Sequence, residues 1–172
     1  MKWTIIIIMV LAFTVLGCTP SPKPDADKDS TENVTFNEAM GSGTANTGEW
    51  LTDYNQALAQ AKELKRPVLI NFTGSDWCIW CKKLASEVFT QVAFKEYAKA
   101  NLVLLKVDFP KNLPQTAEVK AANEAKAKEF KVEGFPTIVL VSSDGKEINR
   151  TGYQPGGADA YVKHLQELLK TK

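Results

Sequence analysis

The chain has 172 residues, 44% of them hydrophobic and 24% charged, which is enough for one ordinary core and too little for two. Lys+Arg 21 against Asp+Glu 20 gives a formal charge of +1, which removes the electrostatic footprint of a nucleic-acid binder or of a protein held by charge to an anionic membrane. Its 3 cysteines rule out a disulfide-dense mini-scaffold and leave one thiol over from any pair.

The leftover thiol is Cys18. Met1-Lys2 supplies a short positive start, Ile5 to Leu16 is an almost unbroken apolar run of 12 residues, and Gly17-Cys18 follows. This is the layout of an export signal, too short to span a bilayer. The stretch resembles a bacterial lipoprotein signal with Val15-Leu16-Gly17-Cys18 as its lipobox. That resemblance implies removal of residues 1–17 and lipid on Cys18. Thr19, with no aspartate at that place, implies sorting to the periplasmic face of the outer membrane in a diderm cell. An uncleaved anchor or a plain secretory signal are the alternatives. Loss of Lys2 brings the side-chain charge to zero, so the lipid would supply the membrane attachment. The compartment expected is outside the cytoplasm, where disulfide chemistry is permitted.

From Thr19 to about Thr47, Pro, Asp, Lys, Ser, Thr, Asn and Gly dominate, as in Pro20-Ser21-Pro22-Lys23-Pro24 and Gly41-Ser42-Gly43. Few of these can enter a core, so the stretch is expected to be a flexible tether or a spacer of no tuned length. The expected organisation is a signal over 1–17, a tether over 18–47 carrying the lipid on Cys18, and one folded domain over 48–172.

Within that domain helical and strand-like periods alternate, as in an α/β protein. Asp53 followed by Gln56 makes a helix start; Tyr54, Ala57, Leu58, Ala61 and Leu64 recur at helical spacing, and Pro67 closes the segment. Val68 to Thr73 is too continuously apolar for a half-exposed strand and is expected to be central and covered on both faces. A helix follows from about Cys78, breaks near Phe89-Thr90, and resumes through Tyr97. Leu102 to Val107 is a second buried strand, followed by a Pro-containing loop from Phe109 to Pro114. Residues 115–131, rich in Ala, Glu and Lys, are expected to be helical. Thr137 to Val141 is a strand, Asp144-Gly145 a hairpin turn, and Glu147 to Thr151 the returning strand. A closing helix from about Ala158 carries Tyr161, Leu165, Leu168 and Leu169 on one face.

Trp77-Cys78-Ile79-Trp80-Cys81 places two thiols three positions apart, just after a buried strand and at the start of a helix. On the first helical turn both sulfurs share a face and can close a small ring. The helix N-terminus, with its partial positive charge and unpaired N–H groups, favours thiolate at Cys78, making it the nucleophile. Cys81, one turn deeper, would attack a mixed disulfide at Cys78 and release the partner. Two other uses of the pair compete. A zinc site needs about four ligands, and the domain adds only His164, so no metal is expected. A purely structural disulfide would close too small a loop to stabilise much.

The segment Asn71-Phe72-Thr73-Gly74-Ser75-Asp76-Trp77-Cys78-Ile79-Trp80-Cys81-Lys82-Lys83-Leu84 resembles the thioredoxin superfamily, as does Gly134-Phe135-Pro136-Thr137 with its proline 55 residues after Cys81. The resemblance runs from Trp50 to the C-terminus and implies a thioredoxin fold, a central mixed β-sheet flanked by helices. It also implies a cis Pro136 beside the cysteines, directing the Phe135 backbone at a substrate strand. Departures are equally visible. Ile79-Trp80 replaces the Gly-Pro of thioredoxin itself, a pair that tunes potential. Asn71 takes the place of thioredoxin's buried aspartate when one residue is inserted before the motif, and an amide cannot ionise. Lys106 matches the family's buried lysine, which would lower a nearby thiol pKa, or is an exposed strand lysine. Asp76 could take a proton from the thiols, but capping the helix is the favoured role. Trp77 and Trp80 form either an apolar rim that receives a peptide, together with Phe135 and Pro136, or core packing.

The function expected is an extracytoplasmic thiol-disulfide oxidoreductase, leaning to reductase or interchange, acting on thiol- or disulfide-containing proteins and served by a transmembrane electron carrier. No cofactor and no nucleic acid are expected. The alternative is a non-catalytic binding module of the same fold that docks a partner near the membrane.

Overall fold

The computed structural model describes residues 47–170; the expected signal peptide, Cys18 and nearly all of the expected tether lie outside them. Helix α1, Tyr54–Leu64, starts where the Asp53 side chain accepts the Gln56 N–H at 2.7 Å. It stops before Pro67, because Lys65 turns left-handed and returns its N–H to Ala61 and Lys62 carbonyls. Ala57 and Ala61 are buried, and Tyr54, Leu58 and Leu64 pack beside them, as the helical spacing requires.

Strand β1, Trp50–Leu51, β2, Val68–Thr73, β3, Val103–Asp108, β4, Thr137–Val141, and β5, Glu147–Thr151, form one sheet in the order β1-β3-β2-β4-β5. The β1–β3 and β3–β2 pairs are parallel and the β2–β4 and β4–β5 pairs antiparallel. Every residue of β2 is buried, in keeping with a continuous apolar run in the middle of a sheet covered on both faces. The hairpin between β4 and β5 closes at Gly145, whose φ of 81° is one that glycine adopts at little cost.

Alternation along the strands sends side chains into two cores. Val68, Ile70 and Phe72 of β2 join Val103, Leu105 and Val107 of β3 and the two alanines of α1. Leu69 and Leu104 face the other way, against Leu84, Val88, Phe89, Phe94, Ala98, Tyr161 and Leu165. These come from α2, Ile79–Leu84, a π-helical turn over Ala85–Phe89, α3, Val92–Asn101, and α5, Gly157–Lys170. The expected break near Phe89-Thr90 is present, with Thr90 N–H reaching five residues back to Ala85 O at 3.0 Å. α3 runs on to Asn101, one turn beyond the expected Tyr97. α4, Ala117–Glu129, is shorter by two residues at each end than the composition implied.

Candidate redox site

β2 delivers the chain directly to the site. After Thr73 a turn runs through Gly74, and Cys78 N–H returns to Gly74 O at 2.8 Å before α2 begins. Cys78 is the N-cap of α2 and Cys81 lies in its first turn; the two are joined in a disulfide with Cα atoms 5.2 Å apart, within the span such a bond requires. Both residues are buried, 6% and 4% exposed, so exposure does not separate their roles. Hydrogen bonding does. Cys78 Sγ accepts the Cys81 backbone N–H at 3.2 Å, the place where an N-cap oxygen would ordinarily sit. A thiolate formed there meets an N–H donor and the positive end of the helix.

Asp76 therefore does not cap the helix, contrary to the sequence expectation. Its carboxylate turns to the loop after β3 and accepts from Lys111 N–H at 3.0 Å and Asn112 N–H at 2.6 Å. Desolvation alone would raise its pKa, but these backbone donors together outweigh it and hold the carboxyl below its ordinary value of 3.8.

The Phe135–Pro136 bond is cis, and the Phe135 carbonyl oxygen lies 3.6 Å from Cys78 Sγ. On this flank Trp77 meets Phe135 edge-on at 6.0 Å, Phe109 stacks on Phe135 at 5.1 Å, and Trp77 Nε1–H donates to Phe109 O at 2.8 Å. Lys111 Nζ stands 4.0 Å from the centre of the Trp77 ring system. On the other flank Trp80 packs on Tyr153 at 5.3 Å, with Lys83 Nζ near both rings and the Tyr153 hydroxyl donating to Glu87 at 2.6 Å. The Tyr153 hydroxyl, then the Glu87 carboxylate, raise the Lys83 pKa. Trp77 and Trp80 are 39% and 52% exposed, and Ile79 between the cysteines 74%. The tryptophans are thus not core packing; they leave an apolar rim around the disulfide.

Behind Cys81 the polar ends of β2 and β3 line a cavity of about 560 Å³, with Asn71, Thr73, Ser75, Lys106 and Cys81 in its wall. Asn71 is paired across the strands with Lys106. Lys106 is neither the buried lysine of the resemblance nor a free surface group: its side chain is 40% exposed and its ammonium lies 3.8 Å from Asp108. Asp108 also takes Ser75 N–H at 3.0 Å and Ser75 O–H at 2.6 Å. Asp108, Ser75, Phe109, Lys111 and Tyr153 were not anticipated. Their partners lie far away in sequence, and no local pattern announces them. His164, the ligand considered for zinc, pairs with the Thr151 hydroxyl at 2.9 Å. Among the described residues no cluster of three metal-ligating side chains exists.

A mixed sheet whose central strand runs into a CxxC disulfide at a helix start, facing a Pro-Thr strand opening, defines a thioredoxin-fold dithiol-disulfide protein. The model of the thioredoxin-like domain matches residues 54–168, and the chain belongs to that family. It is 37% identical over 119 residues to the disulfide bond reductase DsbH of Chlamydia pneumoniae, covering 69% of this chain and 72% of that one. It is 33% identical over 120 residues to the thiol:disulfide interchange protein DsbD of a Klebsiella pneumoniae strain, covering 68% of this chain but only 18% of that longer one. A solved structure titled DsbH oxidoreductase superimposes with a TM-score of 0.68 at 35% identity, covering 83% of this chain and 96% of that chain. The protein is a thiol-disulfide oxidoreductase.

Proposed function

We propose that this oxidoreductase works outside the cytoplasm as a reductase or interchange enzyme on protein disulfides, tethered through lipid on Cys18. The observation that carries the assignment of roles is the Cys81 N–H held on Cys78 Sγ. In the reduced enzyme the Cys78 thiolate attacks one sulfur of a substrate disulfide; that S–S bond breaks, and the released sulfur leaves as a thiolate that takes up a proton. Cys81 then loses its proton and attacks Cys78 Sγ. The mixed disulfide breaks, the second substrate thiol departs, and the Cys78–Cys81 bond closes. Two electrons have passed to the substrate, and a dithiol donor, in this reading a transmembrane electron carrier, must return them.

Trp77, Trp80, Phe135 and Pro136 form the surface on which a peptide would lie, with the Phe135 carbonyl beside the reacting sulfur. The likeness to a protein named disulfide bond reductase supports the direction of electron flow; the formal charge of only +1 and the thiol at Cys18 support a tether that depends on lipid.

The test is the Cys81→Ser variant, incubated with disulfide-bonded protein. A mixed disulfide through Cys78 should accumulate while turnover is lost. Failure of the variant to trap anything, with wild-type reduction no faster than that by a free thiol, leaves a binding module in place of an enzyme.

A further inference from the structure

Asn71 sits in the central strand with 7% exposure, and its Oδ1 is the one buried side-chain polar atom without a hydrogen-bond partner among the described residues. Leaving an amide oxygen buried and unsatisfied is costly, and native structures keep few such groups. Alternation along β2 puts Asn71 on the same face as Leu69, the face against which Leu84 of α2 packs. That brings its side chain to the cavity wall it shares with Cys81. The structure has the Cys78–Cys81 disulfide closed, a state in which neither sulfur bears a proton.

Reduction adds two electrons and breaks the S–S bond; with Cys78 as thiolate, one proton is retained, as an S–H on Cys81. The thiol is a donor, and the amide oxygen on the same wall lacks one. We propose that Asn71 is a positioning residue of the redox cycle: its Oδ1, without a partner while the disulfide is closed, accepts the Cys81 S–H when the pair is reduced, and so favours dithiol over disulfide. What sets Asn71 apart from the other polar groups of the cavity wall is that its Oδ1 is a buried acceptor left without a partner among the described residues; Lys106, engaged with Asp108, is a donor only, and the hydroxyls of Ser75, Ser86 and Thr90 each already take part in a hydrogen bond. An amide supplies this bond without being able to take the proton, so Asn71 holds the thiol and is not its base.

The inference rests on the redox function proposed above. Its test equilibrates the full chain and Asn71→Leu with glutathione buffers and reads the fraction of disulfide. Leucine has similar volume and no acceptor, so the variant should shift the equilibrium toward disulfide about fivefold, the factor one neutral hydrogen bond supplies. For this two-electron couple that is about 20 mV more negative. A second readout needs no variant: the Asn71 side-chain carbonyl carbon in the wild type should move downfield in the NMR spectrum on reduction, as a carbonyl does on gaining a donor. An equilibrium within twofold of an active wild type, or, should the variant not fold, an unmoved Asn71 carbonyl, overturns the role of Asn71 alone. A wild type that exchanges no electrons with glutathione overturns the redox function together with it.

Discussion

Gly74 shows how tightly single residues are set around the disulfide. A Cβ there would come within 2.5 Å of the Trp77 indole, so Gly74→Ala must push out a ring that also holds the Phe109 carbonyl. The expected loss is about 1–3 kcal/mol of stability, as for other overpacked sites, read from the denaturation midpoint, with red-shifted tryptophan emission as Trp77 gains solvent. Unchanged emission would show that the ring is not pinned there. Asp76 makes a second residue-scale prediction. Its carboxyl is held below 3.8 by the loop N–H groups it accepts. A depressed pKa means that the ionised form is preferred on folding, so the stabilisation is present above the unfolded carboxylate range and is lost as pH falls through the folded value. The amide resonances of Lys111 and Asn112 should titrate with a midpoint below 3.8; a midpoint at or above it contradicts the contact.

Elements obey the sequence where their signals are local and depart from it where partners are distant. Asp53 is legible as a cap because its acceptor and the Gln56 N–H lie three residues apart; Asp53→Ala should cost about 1 kcal/mol in chemical denaturation. β2 is legible as a central strand because six consecutive positions are buried, leaving no alternation to confuse it with an edge. The two cysteines are legible because strand, spacing and helix start fall within a dozen residues. The fate of Asp76 was not legible: capping propensity favours the nearest helix, whereas Cys78 Sγ takes that position and the carboxylate goes to a loop 35 residues on. Nor was the Ser75–Asp108 pair, 33 residues apart, nor the π-helical turn after α2. The sequence shows that helix ending near Phe89 but carries no signal for the wider turn that places Val88 and Phe89 in the core.

At the scale of the molecule, both cores and both flanks of the redox site, among the described residues, draw on positions 50–169. A chain beginning at residue 48 should therefore fold and keep the redox equilibrium of the full chain while losing any membrane attachment that Cys18 provides. A shifted equilibrium in the truncated chain would show that the preceding segment acts on the site. The exposed tryptophans and the N–H held on the Cys78 sulfur suit electron transfer in either direction. The claim that electrons flow from this protein to its substrates is tested most directly by the equilibrium reduction potential of the Cys78–Cys81 pair. A reductase is expected at about −270 mV, as for thioredoxin, and a value near about −120 mV, that of a strong oxidant, would contradict it.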